Sequence, residues 1–130
     1  MSMKKTFKIL LPILFFMAWG GQAFAQVSFT ANAPRQVIQG NKFDIKYVLR
    51  NATGSNFEEP EVKGAKKLYG PSVSNSSSYE WINGKTSSSS SQVYSIYYIA
   101  ETAGTYTIEA AQIEADGKIY STKPLILEIS

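Results

Sequence analysis

The sequence predicts an all-β fold, an antiparallel β-sandwich, and three observations carry that prediction. Phe43, Ile45, Tyr47 and Leu49 alternate with Asp44, Lys46, Val48 and Arg50, a period of two with one apolar face. Asn83-Gly84 and Asp116-Gly117 sit between strand-like runs, and these residue pairs tolerate the positive φ that a type I′ hairpin turn needs at both positions. Beyond residue 25 no apolar period of 3.6 runs long enough to specify a helix.

Each element comes from the same reasoning. Val27 and Phe29 alternate with Ser28 and Thr30 until Ala33-Pro34 breaks the run, and Val37-Ile38 ends at the turn Gln39-Gly40-Asn41. The strand from Phe43 comes next, then a polar loop from Asn51 to Asn56 containing Gly54. Phe57, Val62, Leu68 and Tyr69 mark a less regular stretch interrupted by Pro60, Gly64 and Gly70-Pro71. A hairpin centred on Asn83-Gly84 pairs Ile82 with Lys85, Trp81 with Thr86 and Tyr79 with Ser88. It continues with Ser78 against Ser89, Ser77 against Ser90 and Ser76 against Ser91. A flexible serine-rich linker is the alternative for this segment, and the hairpin is favoured because aromatic residues flank the turn. Val93 to Ala100 reads as a strand with Tyr94, Ile96 and Tyr98 on one face, and Thr102-Ala103-Gly104 turns the chain. Tyr106 and Ile108 open the next strand, and Ala111, Ile113 and Ala115 continue its alternating face. After Asp116-Gly117, Ile119-Tyr120 returns, and Pro124 introduces a last strand bearing Leu125, Leu127 and Ile129. About seven to nine strands with regularly spaced turns point to an immunoglobulin-like sandwich. Gly104-Thr105-Tyr106-Thr107-Ile108 adds the form of a tyrosine corner, in which Gly104 leads into Tyr106 and the phenol bonds back to nearby backbone. Ile108 then stands where disulfide-bonded sandwiches carry a Cys, with Ile45 or Tyr47 as its partner across the sheets. A plain strand Tyr is the competing reading.

Charge divides the chain. The 130 residues hold 13 Lys plus Arg and 10 Asp plus Glu, a net charge of +3. All three excess charges, Lys4, Lys5 and Lys8, precede the apolar run Ile9 to Trp19, after which come Gly20-Gly21 and then Ala23-Phe24-Ala25. This order of basic, apolar and small residues is that of a secretory signal peptide over residues 1–25, with cleavage expected after Ala25. The apolar run is too short for a membrane span, which needs roughly 20 residues. No Cys stands at the cleavage point, which argues against a lipoprotein anchor. Residues 26–130 then form one domain carrying 10 basic and 10 acidic residues. With no basic cluster beyond Lys63, Lys66 and Lys67, nucleic acid is not an expected partner.

Composition narrows the chemistry. There is no Cys and no His, so Ser-His-Asp and Cys-His catalysis, thiol redox chemistry and ordinary zinc sites are excluded. Glu58, Glu59 and Glu61 surround Pro60 beside three lysines, and a solvated charged loop is favoured there over a metal site or a catalytic carboxylate pair. No catalytic, cofactor-binding or metal-ligating residue is expected. Asn51-Ala52-Thr53 and Asn75-Ser76-Ser77 match glycosylation acceptors. The binding candidates are Tyr79 and Trp81, on one face near the tip of the serine hairpin, where exposed rings could anchor a protein partner and an unpaired edge could accept a strand. The plainer reading, and the favoured one, folds both rings down onto the sandwich. Tyr94, Tyr98 and Tyr106 read as core and corner residues, and Tyr97 as the outward one.

An ordered series of these segments resembles the start of BatD-type oxygen-tolerance (aerotolerance) proteins. It comprises Val27 to Ala31, Ala33-Pro34, Gly40, Phe43 to Tyr47, Asn56-Phe57, Pro60, Gly64 and Gly70-Pro71-Ser72. Asn83-Gly84-Lys85, Tyr94 to Tyr98, Gly104 to Ile108, Ala111, Asp116-Gly117-Lys118 and Pro124-Leu125 complete it. The resemblance implies immunoglobulin-like domains, a non-enzymatic role, a place in the periplasm or cell envelope, and association with von Willebrand A domain proteins and a MoxR-type ATPase system. It supplies no catalytic residues. Family members usually continue through further domains to a C-terminal membrane segment, so this sequence, ending at Ser130, is expected to correspond to their first domain. The expected role is a protein-interaction module of an envelope stress complex. The alternative is a carbohydrate- or surface-binding sandwich, with Trp81, Tyr79 and Tyr97 stacking on sugar rings.

Overall fold

The computed structural model describes residues 26–130, and the expected signal peptide lies outside them. Within these residues ten strands form. They are β1 (Ser28–Asn32), β2 (Gln36–Val37), β3 (Lys42–Arg50), β4 (Ser55–Glu58) and β5 (Ala65–Ile82), then β6 (Lys85–Ala100), β7 (Gly104–Ile108), β8 (Gln112–Ala115), β9 (Lys118–Ser121) and β10 (Leu125–Ile129). One layer is the four-stranded antiparallel sheet β1-β3-β6-β5; the other consists of β2-β10-β7 and β4-β8-β9. Pairing is antiparallel throughout except between β2 and β10. This is the predicted all-β, immunoglobulin-like sandwich.

Alternation places the core. On β3 the period-two face Phe43, Ile45, Tyr47 and Leu49 is buried, as are Tyr94, Ile96 and Tyr98 of β6. Ile108, Ile113, Leu127 and Ile129 close over them from the second layer. The aromatic packing between layers centres on Phe57 of β4. Its ring lies 4.6 Å from that of Tyr94 in a stacked pair, 5.4 Å from Tyr47 and 6.3 Å edge-on from Phe29. One side chain of the second layer thus touches three strands of the first.

Three stretches differ from expectation. The irregular segment after Phe57 becomes strand from Ala65 onward, and β5 absorbs Leu68, Tyr69 and Gly70-Pro71 through register shifts between Lys67 and Tyr69 and between Tyr69 and Ser72. Bulges of this kind hide a strand from a periodicity argument because the alternation restarts after each. The polar loop after Asn51 gives way to β4 from Ser55. The alternating run from Tyr106 to Ala115 is two strands in different sheets, β7 and β8. The chain breaks there because the Ala111 N–H donates to Thr122 Oγ1 at 2.9 Å while the Ala111 carbonyl accepts from the Thr122 N–H at 3.0 Å.

The loop before β7 is held by Tyr106. Its hydroxyl donates to the carbonyls of Thr102 at 2.8 Å and Ala103 at 3.2 Å, which ties the strand start to the turn four residues upstream. Gly104 has a positive φ of 151°, which favours glycine, and passes close beneath the same phenol. Gly64 packs against the ring: its φ is +82°, and a Cβ there would lie 2.3 Å from the ring. Both properties of Gly64 require glycine. Gly64→Ala is therefore expected to cost more than about 2 kcal/mol, from steric overlap and left-handed backbone together. Tyr106→Phe, which keeps the ring and loses the bonds, should cost about 1 kcal/mol. Urea unfolding of both variants beside the wild type checks the order.

Candidate functional site

The hairpin of β5 and β6 outgrows the sandwich. The Asn83-Gly84 turn, with φ of 54° and 77°, fixes its register, and every pair from Ile82↔Lys85 to Ser76↔Ser91 falls as the sequence predicts. Further along, Val73 faces Tyr94 and Asn75 faces Gln92. Tyr94 points into the core, so the residues sharing its face (Val73, Asn75, Ser77, Tyr79 and Trp81) continue the sandwich's inner surface outward. Nothing among the described residues roofs that continuation.

The base of the arm is where the core ends, and polar groups mark it. Gln92 Oε1 accepts the Gly54 N–H at 2.9 Å and the Tyr94 hydroxyl at 3.0 Å. Asn51 clamps the next step: its N–H donates to the Ser90 carbonyl at 2.9 Å, and its Nδ2 donates to the Gln26 carbonyl at 2.9 Å. That acceptor asparagine is thus engaged in joining three segments. A notch of about 260 Å³ opens here, lined by Ala52, Thr53, Asn75, Ser77, Ser90 and Gln92. Past Ser90 both strands are exposed to the tip, a projection of about 20 Å at roughly 3.3 Å per residue. On the face opposite Tyr79 and Trp81, serine hydroxyls pair across the strands, Ser76 with Ser91 at 2.8 Å and Ser78 with Ser89 at 2.7 Å.

Tyr79 and Trp81 are 73% and 74% exposed. The favoured expectation that they fold down onto the sandwich is corrected: the arm carries them beyond the end of the second layer, so no core lies within reach. Ile82, at the turn, is also exposed. Tyr97 occupies the opposite face of the sheet, stacked on Tyr69 with ring centroids 4.5 Å apart. Sequence reasoning left Tyr69 in an irregular stretch, whereas it pairs with Tyr97 between the two register shifts of β5. Because Tyr97 and the Tyr79–Trp81 pair lie on opposite faces, the three rings form no common platform.

The acidic loop holds a different arrangement. Glu59 forms an ion pair with Lys67 at 3.1 Å. Among the described residues no group of three or more His, Cys, Asp or Glu side chains is placed to hold a metal ion. Beneath the loop lie two buried phenols, Tyr47 and Tyr98, whose hydroxyls have no hydrogen-bond partner. Burial pushes the pKa of Tyr47 up to about 12, with the charge of Glu59 adding to it. That of Tyr98 also moves up, first by burial and then through Tyr47 and Glu59.

The strands and the arm coincide with a known family. The family model described as BatD DUF11 like domain matches residues 30–129. The chain belongs to the BatD family. The matched segment takes in the sandwich from Thr30 of β1 to the end of β10, with the whole projecting hairpin. No curated protein matches the chain. Among solved structures, the BatD domain is similar to a cohesin module from the family 33 glycoside hydrolase of Clostridium perfringens ATCC13124, at 8% identity and a TM-score of 0.35. The likeness covers 81% of this chain and 98% of that one.

The buried phenols give a pH signature. An unfolded chain releases tyrosine protons near pH 10, whereas the fold keeps them on Tyr47 until about 12. Across that window the unfolded state binds fewer protons than the native one, so stability falls as pH rises; below pH 10 the contribution is fully present. Tyr47→Phe, which also removes an unpartnered buried hydroxyl, should be as stable as the wild type or more so at pH 7. It should lose less stability between about pH 9 and 11.5 in urea titrations.

Proposed function

We propose that this BatD domain is a non-enzymatic, exported protein-interaction module that takes part in an envelope oxygen-tolerance or stress complex. One observation carries the reading: Tyr79 and Trp81 stand on an unroofed continuation of the core face. Large rings held out on a hydrogen-bonded strand pair are unfavourable to leave in water, which makes them natural anchors for a protein partner. Spaced two residues apart, they sit about 7 Å from one another, a spacing suited to two adjacent apolar pockets. The serine surroundings keep the arm soluble while the anchors wait. Family membership supports the envelope setting, and the basic, apolar and small-residue order of residues 1–25 supports export. The family resemblance makes proteins with von Willebrand A domains the first partners to test.

The carbohydrate reading loses its platform with Tyr97 on the far face. No other observation favours it.

Two outcomes are expected. The Tyr79→Ala, Trp81→Ala double variant should reduce capture of a von Willebrand A domain partner from the same envelope at least ten-fold in a binding titration. Its circular dichroism and unfolding midpoint should stay near those of the wild type. Undiminished capture by the folded double variant overturns the assignment. Mass spectrometry of the exported protein should give an N-terminus at Gln26, and a retained leader would count against export by cleavage.

A further inference from the structure

Among the described residues β5 is the last strand of its sheet, and no strand pairs with its outer edge. The lower part is protected in the usual way, by Lys66 and Lys67, the two register shifts and Pro71. The upper part, Ser72 to Ile82, has none of these. It is free of bulges and prolines over eleven consecutive pairs with β6, Ser72↔Ser95 to Ile82↔Lys85, and carries a single charge, Glu80. The two-residue turn makes Ile82↔Lys85 the closing hydrogen-bonded pair. The even-numbered residues therefore bond to β6, while the N–H and C=O groups of Val73, Asn75, Ser77, Tyr79 and Trp81 point outward. A regular, nearly neutral, exposed edge is a pairing surface.

We propose that this edge pairs with the same edge of a second copy of the chain, antiparallel, about a two-fold axis at Ser77. Self-complementarity selects the occupant and the register. Ser77 is the midpoint of the bulge-free segment, so this register alone uses all of it. Val73, itself 49% exposed, comes to lie beside the 74% exposed Trp81 of the other copy. Asn75 lies beside Tyr79, Glu80 faces Ser74, and no like charges meet. Residues 26–130 balance 10 basic against 10 acidic residues, so two copies approach without net repulsion. The two arms then form one continuous sheet joining both four-stranded sheets, with the aromatic faces of the pair on the same side. A strand-edge contact of this length is small, so the dimer is a weak one. Pairing is made by the backbone edge and flanks Tyr79 and Trp81 from the side, whereas partner capture uses the open face of the same rings. Charge at Ser77 and truncation of the rings therefore test the two readings separately.

Because each Ser77 faces its own copy, charge at that position reports the register directly. The product of the full reading frame should show concentration-dependent dimers by sedimentation velocity. Ser77→Glu and Ser77→Lys should each weaken self-association at least ten-fold, since like charges then stand directly opposite. An equimolar mixture of the two should restore the dimer. The chain has no Cys, so Ser77→Cys offers a second reading: it should oxidise to a disulfide dimer at least ten times faster than Ser87→Cys, on the β6 side of the arm. A wild type that stays monomeric at every accessible concentration overturns the proposal. So does a dimer indifferent to both charges, failure of the mixture to re-associate, or faster cross-linking at Ser87. Wild-type dimerisation with failed partner capture by Tyr79 and Trp81 would leave this edge in place and remove only the earlier assignment.

Discussion

Phe57 holds the two layers of the sandwich together at one end, and the rest of the architecture depends on it. With no Cys in the chain, the sheets are joined by side-chain packing, and at this end the contact is aromatic. A single ring from β4 meets Phe29, Tyr47 and Tyr94, one from each of three neighbouring strands. Aromatic pairs of this kind contribute about 0.5–1.5 kcal/mol each beyond the area they bury, so three around one ring matter in a small domain. The same cluster sets where the core stops, because Tyr94 is the last apolar residue on the inner face of β6.

The run of residues outward from Tyr94 accounts for the existence of an arm. Along the inner face of β6 the order is Ile96, Tyr94, Gln92, Ser90, Ser88 and Thr86. The apolar surface ends at Gln92, whose amide oxygen satisfies Gly54 and Tyr94 together. Beyond it the serines offer no area worth burying, so no second layer is recruited, and the hairpin continues alone on its own hydrogen bonds. Tyr79 and Trp81 reappear past that polar interval, far enough out that the core cannot reclaim them.

Legibility tracked the locality of each determinant. The hairpin register could be read from Asn83-Gly84 because a two-residue turn fixes every pair behind it. The alternating face of β3 and the corner at Tyr106 were equally local. Other features were not. The lower half of β5 was hidden because bulges around Tyr69 and Pro71 reset the alternation. The role of Phe57 was hidden because a lone aromatic in a four-residue strand has no periodicity to announce it. Parity placed Tyr79 and Trp81 on one face, but whether a face is covered depends on the reach of the other sheet. Thr122, whose exchange with Ala111 separates β7 from β8, carried no signal beyond its place shortly before Pro124.

The unbroken passage of β5 and β6 from body to tip has a mechanical consequence. No hinge separates arm from sandwich; each strand enters the core sheet as the same strand that leaves it. A pull on the tip along the strands is therefore borne as shear, spread over many inter-strand bonds at once, and is not released by peeling them one after another. For a domain gripped by its arm, the load path runs straight into Tyr94 and Ile96.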